Sequence, residues 1–234
     1  MDNILEIKNI NMNYGRYQAL NNVSLDIPKG KIVGILGPNG SGKTTLIKII
    51  MGLLSNYNGE ARINNYPPGY QANAYISYLP DRSHIPTWLT VKQSIEFFAD
   101  FYADFNKAKA EEMLSAMSIP HDKKIKTLSR GMQEKVQLAL VMSRNASLYI
   151  LDEPLGAVDP ASREFIINTI LKNFPENSSI LLSTHIIADI EPILDIAVFL
   201  REGDVVLNDE ADKIREEKGL SLDGLFREVF KNVY

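Results

Sequence analysis

The segment Gly37-Pro38-Asn39-Gly40-Ser41-Gly42-Lys43-Thr44 fits the pattern G-x-x-x-x-G-K-[ST]. It lies between an apolar run, Lys31–Leu36, and a stretch from about Lys43 to Leu54 with helical patterning. That strand–loop–helix context is what the pattern needs to hold phosphate. Glycines let backbone N–H groups turn inward around an anion without Cβ clashes. The following helix start adds unpaired donors and a partial positive charge. Gly37, Pro38, Asn39, Gly40, Ser41, Gly42, Lys43, Thr44 and Thr45 form the candidate phosphate-binding set. Lys43 would reach the β- and γ-phosphates, and the Thr44 hydroxyl would ligate Mg²⁺.

Around that loop, short β-rich runs alternate with helical stretches, which predicts an α/β fold with a largely parallel sheet. Ile4–Ile7 and Val23–Ile27 read as early strands; Tyr75–Leu79, Leu148–Leu151, Ser179–Ser183, Ile196–Leu200 and Val205–Leu207 read as later ones. From Thr90 to about Arg144 the pattern is helical only. There Phe97, Phe101 and Phe105 recur at i, i+4 and i+8 and are expected to share one face, widened by Phe98 and Tyr102. The expected organisation is one domain, 1–234, with an all-helical lobe at about 86–145 inserted into a core of 1–85 and 146–210. Residues 211–234 read as two amphipathic helices around Gly219.

Composition narrows the partners. Lysine and arginine number 25 against 29 acidic residues, a net charge of −4, which argues against nucleic acid as a partner. The absence of cysteine excludes disulfide scaffolds and thiolate metal sites. No apolar run approaches the roughly 18 residues of a bilayer span, and the first residues lack a signal-peptide core, so a cytoplasmic location is expected.

The run Leu148-Tyr149-Ile150-Leu151-Asp152-Glu153-Pro154 is an apolar strand ending in two adjacent carboxylates. They fall at the carboxyl edge of the sheet, where open α/β folds bind ligands. Asp152 would hold the Mg²⁺ shell, and Glu153 would orient or deprotonate an attacking water. An Asp-Glu-Pro turn at a solvated strand end is the alternative.

These two motifs, with Leu128-Ser129-Arg130-Gly131-Met132 between them and Ser183-Thr184-His185 after them, resemble an ATP-binding-cassette (ABC) ATPase from Tyr14 to the strand around Val205. The resemblance implies a P-loop NTPase with a RecA-like core, an N-terminal antiparallel β subdomain and the inserted helical subdomain. It implies ATP and Mg²⁺ as cofactors. It makes Ser129 and Gly131 the signature loop that contacts the γ-phosphate held by an opposite subunit, although Ser129 also reads as an ordinary N-cap. His185 resembles the switch histidine that steadies the catalytic carboxylate, so Glu153, His185 and Lys43 are the implied catalytic set. Asp159, in Gly156-Ala157-Val158-Asp159, resembles the aspartate that couples two sites across a dimer. Tyr14 resembles the aromatic that stacks on adenine, with Tyr17 as the competing candidate.

The sequence departs from the family pattern at three places. Asp81, in Tyr78-Leu79-Pro80-Asp81, stands where a metal-sensing glutamine is usual; it reads as a third metal contact beside Thr44 and Asp152, or as a Pro-Asp turn. Arg130 and Met132 stand where Gly and Gln are common, and Gly156 where Ser is common. The Ser-Arg-Gly-Met form with Pro-Asp resembles cassettes of small ABC-2-type, YtrB-like bacterial exporters. The implied partners are transmembrane permease subunits and a second cassette, in a head-to-tail homodimer or heterodimer at the inner face of the membrane. Trp88, before Thr90, is a candidate for the permease groove. A soluble cassette acting on ribosomes or DNA, and a nucleotide-binding module without turnover, are the rival readings.

Overall fold

The computed structural model describes residues 2–156 and 158–231. Ala157 of the Gly156–Asp159 loop and residues 232–234 of the expected C-terminal helices therefore lie outside the described residues.

Strands β1 (Asn3–Tyr14) and β2 (Tyr17–Pro28) form a long hairpin closed by Gly15-Arg16, with Tyr14 opposite Tyr17. β3 (Ile32–Leu36), α1 (Lys43–Ile50), β4 (Asn58–Ile63), the single turn α2 (Tyr70–Asn73) and β5 (Ile76–Leu79) follow. Three helices come next: α3 (Val91–Phe101), α4 (Lys107–Ala116) and α5 (Arg130–Met142). The chain then alternates through β6 (Leu148–Asp152), α6 (Pro160–Asn173), β7 (Ser179–Thr184), β8 (Ile196–Arg201) and β9 (Asp204–Glu210). It closes with α7 (Ala211–Lys218) and α8 (Leu222–Val229).

Two sheets result. One is antiparallel, in the order β2-β1-β4; the other has the order β5-β6-β7-β3-β8-β9, parallel except for β9 against β8. β3, β6 and β7 are buried along their whole length, as strands covered on both faces must be. Their side chains alternate between two apolar clusters. Val33, Ile35, Ile150, Leu181 and Val198 pack with α1 and the antiparallel sheet. Leu36, Leu151, Leu182 and Phe199 pack with the helices on the other side. The phosphate loop leaves the carboxyl end of β3, with β7 on one side and β8 on the other.

Several local expectations change. The first two strands run well beyond Ile4–Ile7 and Val23–Ile27, because the hairpin extends to its two-residue closure. α1 stops at Ile50 rather than near Leu54, since Gly52 takes φ +70° and its Cα side lies against Gly69. β4 escapes the sequence pattern: its Asn-Gly-Glu start reads as a turn, and only pairing to β1 makes it a strand.

The phenylalanine face is also corrected. The capping box of Thr90 with Gln93 starts α3, and its core positions are Val91, Ser94, Ile95 and Phe98, an i, i+3, i+4, i+7 stripe. Phe97 and Phe101 pack on each other, their rings tilted by 43°, outside that stripe, 37% and 70% exposed, and Phe105 lies beyond the helix end. Phe97 and Phe101 thus share a face as expected, but that face is exposed, and Phe98, expected only to widen it, is the member that enters the core. Trp88 sits in the preceding loop, 67% exposed.

At the carboxyl end, Phe226 and Phe230 of the last helix and its exit pack on Phe199. Glu191, in a short 3-10 turn after β7, ties this pair of helices down. It accepts from Arg215 Nε at 3.2 Å and from the backbone N–H of Leu222 and Asp223 at 2.8 and 3.1 Å. Burial pushes its carboxyl up, but those N–H donors and the Arg215 guanidinium outweigh burial and hold it below its ordinary 4.5. A carboxyl held low in the folded chain contributes stability above its unfolded value and loses it as pH falls through the folded one. Glu191→Gln is therefore expected to cost about 1–2 kcal/mol at neutral pH, and progressively less in acid. Melting curves of the two proteins should converge below the carboxylate range; a gap that persists there would contradict the assignment.

Candidate active site

Loop geometry explains the glycines of the phosphate motif. A Cβ at Gly37 would come within 2.4 Å of the Leu200 carbonyl oxygen and 2.5 Å of Ser41 Oγ. Gly42 combines φ +111° with an approach of 2.7 Å to the Ala19 carbonyl, so a side chain there is excluded twice over. Gly42 is also the N-cap of α1 and brings no side-chain acceptor to the helix start. The first N–H groups of α1 thus face an open cleft, an arrangement suited to an anion.

Lys43, only 5% exposed, projects into this cleft. Its Nζ donates to the carbonyl oxygens of Gly37 at 2.7 Å and Pro38 at 3.1 Å, and lies 3.4 Å from Glu153 Oε1. Burial lowers its pKa, while the Glu153 and Asp152 carboxylates act the other way. Ser41 Oγ is buried without a hydrogen-bond partner, so a phosphate oxygen in the loop would satisfy it.

The carboxylates come from β6. Asp152 pairs in register with Ser183 of β7, and the Ser183 hydroxyl donates to Asp152 Oδ1 at 2.5 Å. The Glu153 N–H donates to the Ser183 carbonyl at 3.0 Å and lies 3.1 Å from its hydroxyl. Glu153 takes φ +50°, an uncommon conformation for a side-chain-bearing residue, which turns its carboxylate toward the loop. Its Oε2 lies 3.0 Å from His185 Nδ1. Glu153 is therefore held between Lys43 and His185, beside the phosphate loop.

Asp152 is held up by burial and by the charges of Glu153 and Asp81, and the Ser183 and Thr44 hydroxyls partly offset this. Thr44, Asp152 and Asp81 thus present hard oxygen donors and excess negative charge in one corner. Among the described residues no group of three or more His, Cys, Asp or Glu side chains is arranged to hold a metal. The corner fits a cation that takes one or two protein oxygens and completes its shell with phosphate and water, the habit of Mg²⁺.

A cavity of about 490 Å³ collects most of the expected residues: Asn39 through Thr45, Asp81, Glu153 and His185. Tyr17, rather than Tyr14, lines it, with its hydroxyl donating to the Gly40 carbonyl at 3.2 Å. Tyr14 is the facing member of the same hairpin pair and is 46% exposed. Ser129 and Gly131 are not in the lining; they sit exposed at the start of α5, where the Ser129 hydroxyl accepts the Met132 N–H as an N-cap. Arg130 between them does reach the cavity wall, paired to Glu134 at 3.3 Å. Asp159 stands at the entry to α6, exposed, where its carbonyl accepts the Arg163 N–H.

Sequence reading missed the double role of Ser183. Ser183 stands two residues before His185 in the sequence, yet only strand register places it opposite Asp152. It also missed Gln137, whose side-chain amide donates to the Pro80 carbonyl at 3.2 Å and links α5 to the segment bearing Asp81.

A family model described as ABC transporter matches residues 20–156. The chain belongs to the ABC transporter family. Curated relatives include the SkfA peptide export ATP-binding protein SkfE of Bacillus subtilis (strain 168), 30% identical over 86% of each chain. They also include the taurine import ATP-binding protein TauB of Jannaschia sp. (strain CCS1), 31% identical over 97% of this chain and 88% of that one. A solved ATP-binding subunit of an ABC transporter superposes with a TM-score of 0.86 at 28% identity, covering 97% of this chain and 99% of its own. The cassette is thus an ATP-binding, ATP-hydrolysing transporter subunit with the fold of its family. No helix among the described residues is long and apolar enough to cross a membrane; cassettes of this family dimerise and work with transmembrane subunits.

Proposed function

We propose that two copies of this cassette pair head to tail, each ATP lying between the phosphate loop of one copy and Ser129–Gly131 of the other, and that the cycle drives a membrane permease. One observation carries the reading. Lys43, Glu153 and His185 converge on the phosphate loop, while Ser129 and Gly131 are displayed outside that cleft, with open space around Gly131. A helix start exposed in this way can serve an anion held by another chain.

In this reading the Gly37–Thr45 loop holds the phosphates, Lys43 neutralises the β,γ-oxygens, and Thr44, Asp152 and Asp81 hold Mg²⁺, which supplies charge neutralisation at the γ-phosphoryl group. Glu153 takes a proton from the attacking water. His185 holds the Glu153 carboxylate in place, and Asp159 couples the two sites. Tyr14, 46% exposed opposite Tyr17 at the hairpin end, carries the adenine, with Tyr17, which lines the cleft, as the competing candidate. The Ser129-Arg130-Gly131-Met132 form with Pro80-Asp81 supports an exporter. Its permease would hold the cassette at the inner membrane face, with Trp88 in the docking surface.

Mixing two inactive variants tests the composite site. Lys43→Ala and Ser129→Glu are each expected to lose ATPase activity. A mixed dimer keeps one site with both halves intact, so an equimolar mixture should recover roughly a quarter of the parent rate. A mixture as inactive as its components would overturn the pairing.

A further inference from the structure

We propose that Arg163 and Asp189 form a positioning pair that holds the His185 segment against the Glu153–Asp159 segment, so that turnover depends on them while nucleotide binding does not. The inference rests on the roles proposed for Glu153 and His185.

Two chain segments meet twice here. Near the cleft, His185 Nδ1 lies 3.0 Å from Glu153 Oε2. Ten residues beyond Glu153 on the first segment and four beyond His185 on the second, Arg163 NH1 donates to Asp189 Oδ2 at 3.0 Å. The first segment runs from Glu153 through a tight turn, in which the Gly156 N–H donates to the Glu153 carbonyl at 3.1 Å. It then enters α6, where the Arg163 N–H donates to the Asp159 carbonyl at 3.2 Å. The second runs from His185 to Ile190, pinned by the buried Ile187 and Ile190 and by the Ile187 carbonyl, which accepts from the N–H groups of Ile190 and Glu191. The two contacts close these segments into a ring.

The His185 contact cannot fix the geometry alone. The imidazole is 37% exposed and its contact to Glu153 is a single one, so a shift of the main chain that carries it would break the contact. An ion pair at the far end of the same short segment limits how far the histidine backbone can drift. Displacement by about 1 Å of a group at the reacting centre can cost on the order of a hundredfold in rate.

The pair is poorly designed for stability. Arg163 Nε is buried without a hydrogen-bond partner, an arrangement that costs free energy. The Asp189 side chain is 35% exposed, which weakens the attraction. A placement role accounts for keeping a guanidinium there.

Full-length Arg163→Met, Asp189→Asn and the charge swap Arg163→Asp/Asp189→Arg would be compared with the parent in kcat, KM for ATP, equilibrium binding of a fluorescent ATP analogue, and Tm. Each single variant is expected to lose about tenfold in kcat with analogue affinity within about twofold, and the swap to recover at least about threefold. A kcat within twofold of the parent, a parallel loss of analogue affinity, or a swap no better than the single variants would overturn the pair's role. If Arg163→Met fails to fold, Asp189→Asn and the swap carry the same readout. Lys43→Ala run alongside separates the two levels: parent activity insensitive to Lys43 would refute the site assignment itself, whereas a Lys43-dependent enzyme indifferent to Arg163 refutes only the positioning pair.

Discussion

Replacing Glu153 by glutamine is expected to lower ATP turnover by about 10²–10⁴-fold while leaving ATP binding intact. The amide matches the carboxylate in size, so it can keep the strained φ of +50° and the N–H contacts to Ser183 that aim the side chain. It cannot take a proton from water. It also removes the negative charge 3.4 Å from Lys43 Nζ, which frees that ammonium for phosphate and should hold or tighten ATP affinity. With hydrolysis blocked, the ATP-bound dimer should accumulate and be visible by size-exclusion chromatography in ATP, against the nucleotide-free sample. Phosphate release within threefold of the parent would remove Glu153 from its role.

The second large effect concerns folding. Arg144, 4% exposed in its side chain, donates through Nε and NH2 to the two Asp104 oxygens at 3.0 and 3.1 Å. It also donates to the carbonyls of Ile76 and Ala74 and lies 3.9 Å over the Tyr102 ring. One side chain thereby joins the turn between α3 and α4 to the edge strand β5. Arg144→Ala would leave Asp104 unpaired and two carbonyls without their donor, a loss of about 3–5 kcal/mol. Arg144→Lys should recover little, since an ammonium cannot span a carboxylate fork and stack on a ring together. Urea denaturation of the three proteins checks this. A loss under 1 kcal/mol for the alanine variant would mean that the turn finds other anchors.

How much of this was legible beforehand follows from the range of each interaction. The phosphate loop, the Asp152-Glu153 strand end and the strand before His185 are each written in a few consecutive residues, so sequence shows them. Ser183 opposite Asp152 is a matter of register between strands separated by α6, and spacing along the chain carries no such information. The exposure of Phe97 and Phe101 turned on where α3 begins. Once Thr90 and Gln93 fix the start, the buried stripe falls on Phe98, and a run of aromatics at helical spacing is ambiguous without that phase. The choice between Tyr14 and Tyr17 is of the same kind, since the hairpin puts both at one end and only the loop contact to Gly40 separates them. Arg144 gave no signal at all, because its partners are spread from Ala74 to Asp104.

The alternation of the central strands between two apolar clusters has a consequence for how such a sequence can drift. Val33 and Leu36 lie on opposite faces of one strand and belong to separately packed compartments. Changes at two such positions, which share no packing partners, should act independently, whereas changes at Val33 and Val198, which share a compartment, constrain one another. Over many generations the compartment bearing the helices is thus at liberty to be remodelled without disturbing the one that cradles α1.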